Sequence, residues 1–252
     1  MNDEGLYVYA VVRAGTVLPE GAVGVGDPPA TPRTVDAGAV AAVVSEAPPR
    51  LRARRRDLLA HQDLLMALAE QGPVLPMRFG MVAPDEDGLI AQLAAAEPGH
   101  LDTLERLDGH VEINVKALEA PGSLALVVAE SATVRRLRDE ARRRPGYEAS
   151  VRLGEAVASE LARRASEAGR EVLRELAPLA RAAAAGPEVQ GCALNMSFLV
   201  PRTHSDRFRT AAERLATARR DHAEIRLAGP LPCYSFVGTS GSRSPLEPTG
   251  RG

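Results

Sequence analysis

The stretch Val74-Leu75-Pro76-Met77-Arg78-Phe79-Gly80-Met81 sets a proline, a guanidinium and a glycine inside an otherwise apolar run. Pro76 has no N–H to give a sheet ladder, so the run reads as an edge strand or an irregular extended crossing, not a central strand. Arg78 needs a carboxylate or carbonyl partner if it goes inside, and a tie to a carboxylate is expected for it. Gly80 permits a backbone conformation that a branched residue resists. So costly a run implies that its geometry matters, without saying for what.

Upstream, Leu6 to Arg13 is β-branched and aromatic and reads as a first strand. Ala14 to Thr34 is rich in Gly and Pro and reads as a long loop, and Ala39 to Ser45 as a second apolar strand entered through a turn, in a hairpin. After Pro48-Pro49, Leu51 to Glu70 is expected as a helix with Leu51, Leu58, Leu65 and Leu68 on one side. Asp85 is expected to cap a helix to about Ala96, with Pro98-Gly99 breaking it and a short helical turn from Asp102 to Leu107. Val111, Ile113 and Val115 alternate with Glu112, Asn114 and Lys116, the pattern of a one-sided strand. Together these form an α+β unit over 1–120.

Past Pro121-Gly122 the composition turns helical. Ser123 to Arg144 reads as a helix pair hinged at Ser131, and Glu148 to about Ala185 as one long helix striped by Leu153, Val157, Leu161, Ala165, Ala168, Val172, Leu176 and Leu179, with Pro178 as an interruption. Cys192 to Val200 alternates with period two. Thr203 to Asp206 caps a helix to about Arg220 with Phe208, Ala212 and Leu215 inward, and Ile225 to Val237 is read as a final extended segment. A helix-rich α+β domain therefore spans 121–238, and 239–252, polar except for Leu246, is expected to be disordered.

Composition narrows the functions. Hydrophobic residues make up 45% of 252 residues but aromatics only 3%, with no Trp, so the core must be built from Leu, Val and Ala. A formal charge of −2 gives no global case for nucleic acid or an anionic membrane. The acidic start lacks the basic segment of a signal peptide, and no apolar run reaches the ~18 residues of a membrane span, so the chain reads as cytoplasmic. Two cysteines, Cys192 and Cys233, fit small buried thiols better than a disulfide or a metal site.

Candidate chemistry is sparse. If the helix, the opening stretch and the Val111 strand meet, His61, Arg78 and Glu112 form either a self-satisfied structural cluster or a catalytic or anion-binding site. The run Arg50, Arg52, Arg54, Arg55, Arg56 offers a patch for an acidic partner or nucleic acid, although no aromatic interleaves it. Neither a nucleophile elbow nor a phosphate loop is present, and metal-ligand spacing is absent, so no catalytic, cofactor or metal residues are assigned. Tyr234, Ser235 and Phe236, after Gly229-Pro-Leu-Pro, are expected as edge strand and core, or as an exposed edge that recruits another chain.

In order and spacing, Leu6-Tyr-Val-Tyr-Ala-Val-Val, Ala42-Val-Val-Ser, Val74-Leu-Pro-Met-Arg-Phe-Gly-Met-Val, Leu107-Asp-Gly-His-Val-Glu-Ile-Asn-Val-Lys, Leu153-Gly-Glu-Ala-Val-Ala, Leu194-Asn-Met-Ser-Phe-Leu-Val and Gly229-Pro-Leu-Pro-Cys-Tyr-Ser-Phe-Val resemble the gas vesicle protein family GvpL/GvpF. The resemblance covers nearly the whole chain. It implies two domains, a ferredoxin-like N-terminal α+β part and a helix-rich C-terminal α+β part, without enzymatic activity or cofactors. It also implies an accessory or minor structural role in building gas vesicles, residence at that cytoplasmic protein organelle, and contact with the hydrophobic shell protein GvpA and other accessory gas vesicle proteins. The residues assigned to structure or interaction are His61, Leu75, Pro76, Met77, Arg78, Phe79, Glu112, Tyr234 and Phe236.

Overall fold

The computed structural model describes residues 5–49 and 51–238. The tail expected to be disordered, 239–252, and Arg50 of the arginine run lie outside the described residues. The architecture is α+β, with two antiparallel sheets. The chain divides into two compact units, Met1–Glu112 with Pro230–Gly252, and Ile113–Gly229. It passes from one to the other inside a strand and returns inside another, so the chain crosses near residue 112 and comes back near residue 230, where composition alone places one cut at 120.

The first unit contains β1 (Leu6–Arg13), β2 (Arg33–Ala37), β3 (Val40–Glu46), α1 (Arg55–Gln71), β4 (Leu75–Pro76), β5 (Val82–Ala83) and α2 (Glu86–Leu107). Its strands run β2-β3-β1-β4, with β5 also paired to β1. Ala37 faces Val40, so β2 and β3 are joined by Gly38-Ala39, and Gly38 supplies the positive φ of 67° that this two-residue turn needs at its first position. The β1–β3 register slips between Val8 and Ala10, which makes Tyr9 a bulge. The bulge turns Tyr7, Tyr9, Ala10 and Val12 toward Leu64, Leu65 and Leu68 of α1. Val8 and Val11 lie instead with Leu89 and Leu93 of α2. With a helix on each face, every residue of β1 except Arg13 is buried.

Three sequence expectations change in this unit. α1 begins at Arg55, not Leu51, because Arg54 is extended (φ −75°, ψ 144°) and clustered cations oppose the positive end of a helix dipole. Its buried face is Asp57, His61, Leu64, Leu65 and Leu68, leaving Leu58 on the outside at 41% exposure. α2 runs unbroken through Pro98. Leu89 and Leu93 before the proline, and Leu104 and Leu107 after it, are all buried, and side chains of this size contribute about 1.5–3 kcal/mol each, together more than the ~3 kcal/mol that an interior proline costs. Asp85 caps this helix as expected, accepting from the Gly88 N–H at 2.6 Å.

The second unit carries β6 (His110–Glu119, whose first residues belong to the first unit), α3 (Leu124–Glu130), α4 (Ala132–Arg143), α5 (Tyr147–Leu176), β7 (Ala182–Ala185), β8 (Cys192–Pro201), α6 (Ser205–Arg219) and β9 (Ala223–Leu231). The sheet order is β7-β8-β6-β9. Counting β6, α5, β7, β8, α6 and β9, this is the strand-helix-strand-strand-helix-strand connectivity of a ferredoxin-like unit, so that topology sits in the second unit. Ser131 ends α3 and caps α4. The helix expected to reach Ala185 stops at Leu176. Pro178 follows in a short 3₁₀ turn, and Ala182–Ala185 pairs with β8 as an edge strand. Only the later part of the α5 stripe is buried, through Ala165, Ala168, Val172 and Leu176, with Leu153, Val157 and Leu161 half-buried. Phe198 and Phe208 pack with ring centres 5.2 Å apart. Both cysteines are free thiols.

Candidate functional site

β4 and β5 pair with the same edge of β1, Leu75 and Pro76 facing Val11 and Ala10, and Val82 and Ala83 facing Tyr7 and Leu6. Between those pairings β1 spends two residues, Val8 and Tyr9, and the partner spends five, Met77 to Met81. The opening stretch is therefore a bulged edge strand. Met77 N–H donates to the Tyr9 carbonyl at 2.8 Å, and Val8 N–H to the Met81 carbonyl at 2.9 Å, and these bonds clamp the loop at both ends. Gly80 takes φ 93°, the left-handed region open to glycine.

The loop sorts its side chains. Leu75 is 1% exposed and Phe79 packs on the core, so both close the first unit. Pro76 is buried and Met77 half-buried. Arg78 is exposed, and among the described residues no carboxylate lies within ion-pair distance of it. The expected tie of Arg78 to a carboxylate is corrected, and the side chain does not go inside: the three extra residues of the loop let the guanidinium reach water. Sequence reading had no way to count them, because the bulge is defined by the register of two other segments on β1.

His61 is buried, and four of the chain's eight Phe and Tyr residues gather round it. Its ring stacks on Tyr9 at 5.7 Å and meets the edge of Phe79 at 5.7 Å. Nε2 lies 3.1 Å from the Met77 carbonyl, which can only accept, so Nε2 carries the proton. Nδ1 is then the bare nitrogen and accepts the Tyr7 hydroxyl at 2.9 Å, while Tyr7 itself accepts from Gly80 N–H at 3.3 Å. The Tyr234 hydroxyl lies 3.3 Å from the same Nε2. Burial lowers the His61 pKa and raises those of Tyr7 and Tyr9; Tyr234 is pushed up to about 12, by burial first and Glu112 second. Neutral imidazole and protonated phenols are the species this hydrogen-bond pattern requires.

Glu112 is buried too, against the one-sided pattern of its strand, because its carboxylate accepts Ser235 N–H at 2.9 Å and the Ser235 hydroxyl at 2.7 Å. Those bonds hold Tyr234–Phe236 as a 3₁₀ turn, not the strand expected there. Phe236 is buried and Tyr234 is 38% exposed. The structure thus brings together His61, Met77, Phe79 and Tyr234, and separately Glu112 with the Tyr234 turn, but no bond joins His61 to Arg78 or Glu112. Both ring nitrogens of His61 are committed to protein partners, which leaves a rigid linchpin and no base free to take a proton. Tyr7 and Tyr9 are the partners of His61 that sequence reasoning missed, and Ser235 was named there without its bonds to Glu112. Tyr7 had a signal, since it shares a strand with Tyr9 two residues away.

Beside the bulged strand an apolar cleft of about 310 Å³ opens, lined by Val8, Val11, Met77, Met81, Leu89 and Leu93 among others. Met81 and Val82 at its rim are 48% and 43% exposed. The arginine run contributes less. Arg56 pairs with Asp27 at 2.9 Å and Asp57 at 3.2 Å, and Arg52, Arg54 and Arg55 are exposed. Among the described residues no group of side chains is arranged to hold a metal ion, and no helix is long and apolar enough to cross a membrane.

Comparison with known proteins matches residues 5–238 to the family described as gas vesicle synthesis protein GvpL/GvpF. Gas vesicle protein F of Streptomyces sp. (strain CB03234) is 43% identical, over 92% of this chain and 98% of that protein. Gas vesicle protein L of the same strain is 34% identical, over 94% of each chain. The crystal structure of GvpF from Anabaena sp. PCC7120 shares the fold, with a TM-score of 0.75, 23% identity, and coverage of 94% of this chain and all of that one. With the family pattern matched from the first strand to the Tyr234 turn, this chain belongs to the gas vesicle protein family GvpL/GvpF.

Proposed function

We propose that this protein is an accessory or minor structural component of gas vesicle assembly, that it binds the hydrophobic shell protein GvpA and other accessory gas vesicle proteins, and that it works at the vesicle without catalysing a reaction. The observation that carries the reading is the apolar cleft beside the bulged edge strand. Met81 and Val82 stay half exposed there while Leu75 and Phe79 seal the core behind them. An open apolar cleft along a strand edge costs solubility and suits an apolar segment of another chain. By covering such a segment, the protein limits self-association of the shell subunit and helps nucleate the shell. The closed hydrogen bonding of His61 supports a non-enzymatic role, and the family names of its relatives agree with it.

The test is retention of shell protein in solution. Purified GvpA is refolded by dilution in the presence of the full chain, wild type or Met81→Asp/Val82→Asp. Wild type is expected to keep GvpA in the supernatant as a co-eluting complex, and the double variant to lose about tenfold in binding, because two charges must be desolvated in the cleft. Folded wild-type protein that leaves all GvpA in the pellet would overturn the reading, and equal binding by the double variant would remove the cleft from it.

A further inference from the structure

α4 and the turn after it hold Arg135, Arg136, Arg138, Arg142, Arg143 and Arg144 against Asp139 and Glu140, a formal charge of +4 on a chain whose net charge is −2. The ion pairs of this segment use Arg138 with Asp139 at 3.8 Å and Glu140 with Arg152 at 3.4 Å. Among the described residues Arg142, Arg143 and Arg144 have no carboxylate within ion-pair distance, and all three are exposed. Arg143 Nε donates at 3.2 Å to the Asp139 carbonyl of its own helix. Cations are favoured at a helix C-terminus, which accounts for basic residues in this last turn. The dipole does not account for the exposed apolar side chains next to them. Pro145 and Gly146 lead directly into Tyr147, 88% exposed at the start of α5, and Val151, one turn on, is 39% exposed.

We propose that this corner, Arg142 to Arg144 with Tyr147 and Val151, docks an acidic amphipathic segment of a partner protein. Guanidinium groups bind carboxylates bidentately, and Arg and Tyr are the side chains that most often anchor protein interfaces. The adjoining tyrosine ring and valine give a partner's apolar residues a place to bury, which a merely solvated basic face lacks. The complementary charge is therefore negative and the complementary face mixed, with carboxylates spaced beside leucine-like side chains. The basic patch also stands out against the rest of the chain, which is net acidic, and such local inversion steers an acidic partner to one place. The site lies wholly in the second unit, so it stands or falls independently of shell-protein binding at the first-unit cleft.

The experiment titrates the full chain with an amphipathic peptide of ~20 residues, glutamates on one face and leucines on the other, and in parallel with single-stranded DNA of about the same length. Wild type is expected to bind the peptide in preference to DNA, with affinity falling as salt rises from about 50 to about 300 mM. R142E/R143E/R144E should weaken peptide binding about tenfold or more, and R142Q/R143Q/R144Q by a smaller factor. Tyr147→Ser should weaken it about fivefold while leaving the salt dependence unchanged. Matching circular dichroism and thermal midpoints check that each variant is folded, and the glutamine variant stands in if the glutamate one is not. The proposal is overturned if folded wild type ignores the peptide, if the arginine variants bind as wild type does, if Tyr147→Ser has no effect, or if DNA binds more tightly than the peptide at equal salt.

Discussion

Replacing His61 with leucine tests whether the buried ring is the linchpin of the first unit. The substitution takes the acceptor from the Tyr7 hydroxyl, on a residue 0% exposed, and the donor from the Met77 carbonyl. Each orphaned group costs about 1–3 kcal/mol, and the lost ring contacts with Tyr9 and Phe79 about 0.5–1.5 kcal/mol more. Burial of leucine's apolar surface offsets about 1.5–2 kcal/mol of this, so H61L should lose between about 0.5 and about 6 kcal/mol at neutral pH, with about 3 kcal/mol at the centre of that range. A second signature comes from protonation. Burial depresses the pKa of His61 in the fold, so below its ordinary value of about 6.5 the unfolded chain binds a proton that the folded chain refuses. Wild-type stability therefore falls on acidification from that point down to the depressed folded pKa, by as much as about 1.4 kcal/mol per pH unit from this residue. H61L lacks this contribution, so the gap between the two proteins should narrow as pH drops from about 7.5 to about 5. Urea unfolding followed by tyrosine fluorescence is the suitable assay, because the chain has no Trp and three of its four tyrosines lie in the first unit. Parallel stability profiles over that pH range would refute the argument, since a ring that titrates alike folded and unfolded is not held neutral by burial.

Two further substitutions probe local accounts. Glu112→Gln weakens the paired acceptors for Ser235 N–H and hydroxyl, and is expected to cost about 1–3 kcal/mol and to release the Tyr234 turn to proteolysis before the rest of the first unit; unchanged cleavage there would show that the turn is held by other contacts. Pro98→Ala restores the N–H missing from the middle of α2 and should raise the thermal midpoint by an amount equivalent to about 2–2.5 kcal/mol, the helix gain of about 3 kcal/mol being offset in part by a freer unfolded chain. A lower midpoint would mean that the proline ring makes packing contacts worth more than the helix strain.

The sequence alone determined what short-range chemistry decides. β-branched and aromatic composition placed the strand at Leu6–Arg13 and alternation the one at Cys192–Val200, Asp85 marked a helix start, Ser131 a hinge, and Pro76 kept its segment at a sheet edge. Each of these depends on neighbours within a few residues. The ordered strings across the chain were also sufficient for the family, because a family pattern is itself a property of sequence.

Tertiary structure decided everything set by partners far along the chain. Pro98 was tolerated because leucines on both sides of it bury in the same unit. Ala182–Ala185, a good helix by composition, became a strand because Pro178 ended the helix and β8 offered an edge. Glu112 reads as a solvent-facing position until Ser235, 123 residues later, supplies its hydrogen bonds. Most of all, the fate of the Val74–Met81 run lay in a register on β1, where five residues face two and Arg78 is carried out to solvent while Phe79 turns in. Local pattern fixes which side chains must be buried or exposed only for regular strands and helices; at a bulge the count of extra residues sets the facing, and that count exists only once the strands have paired.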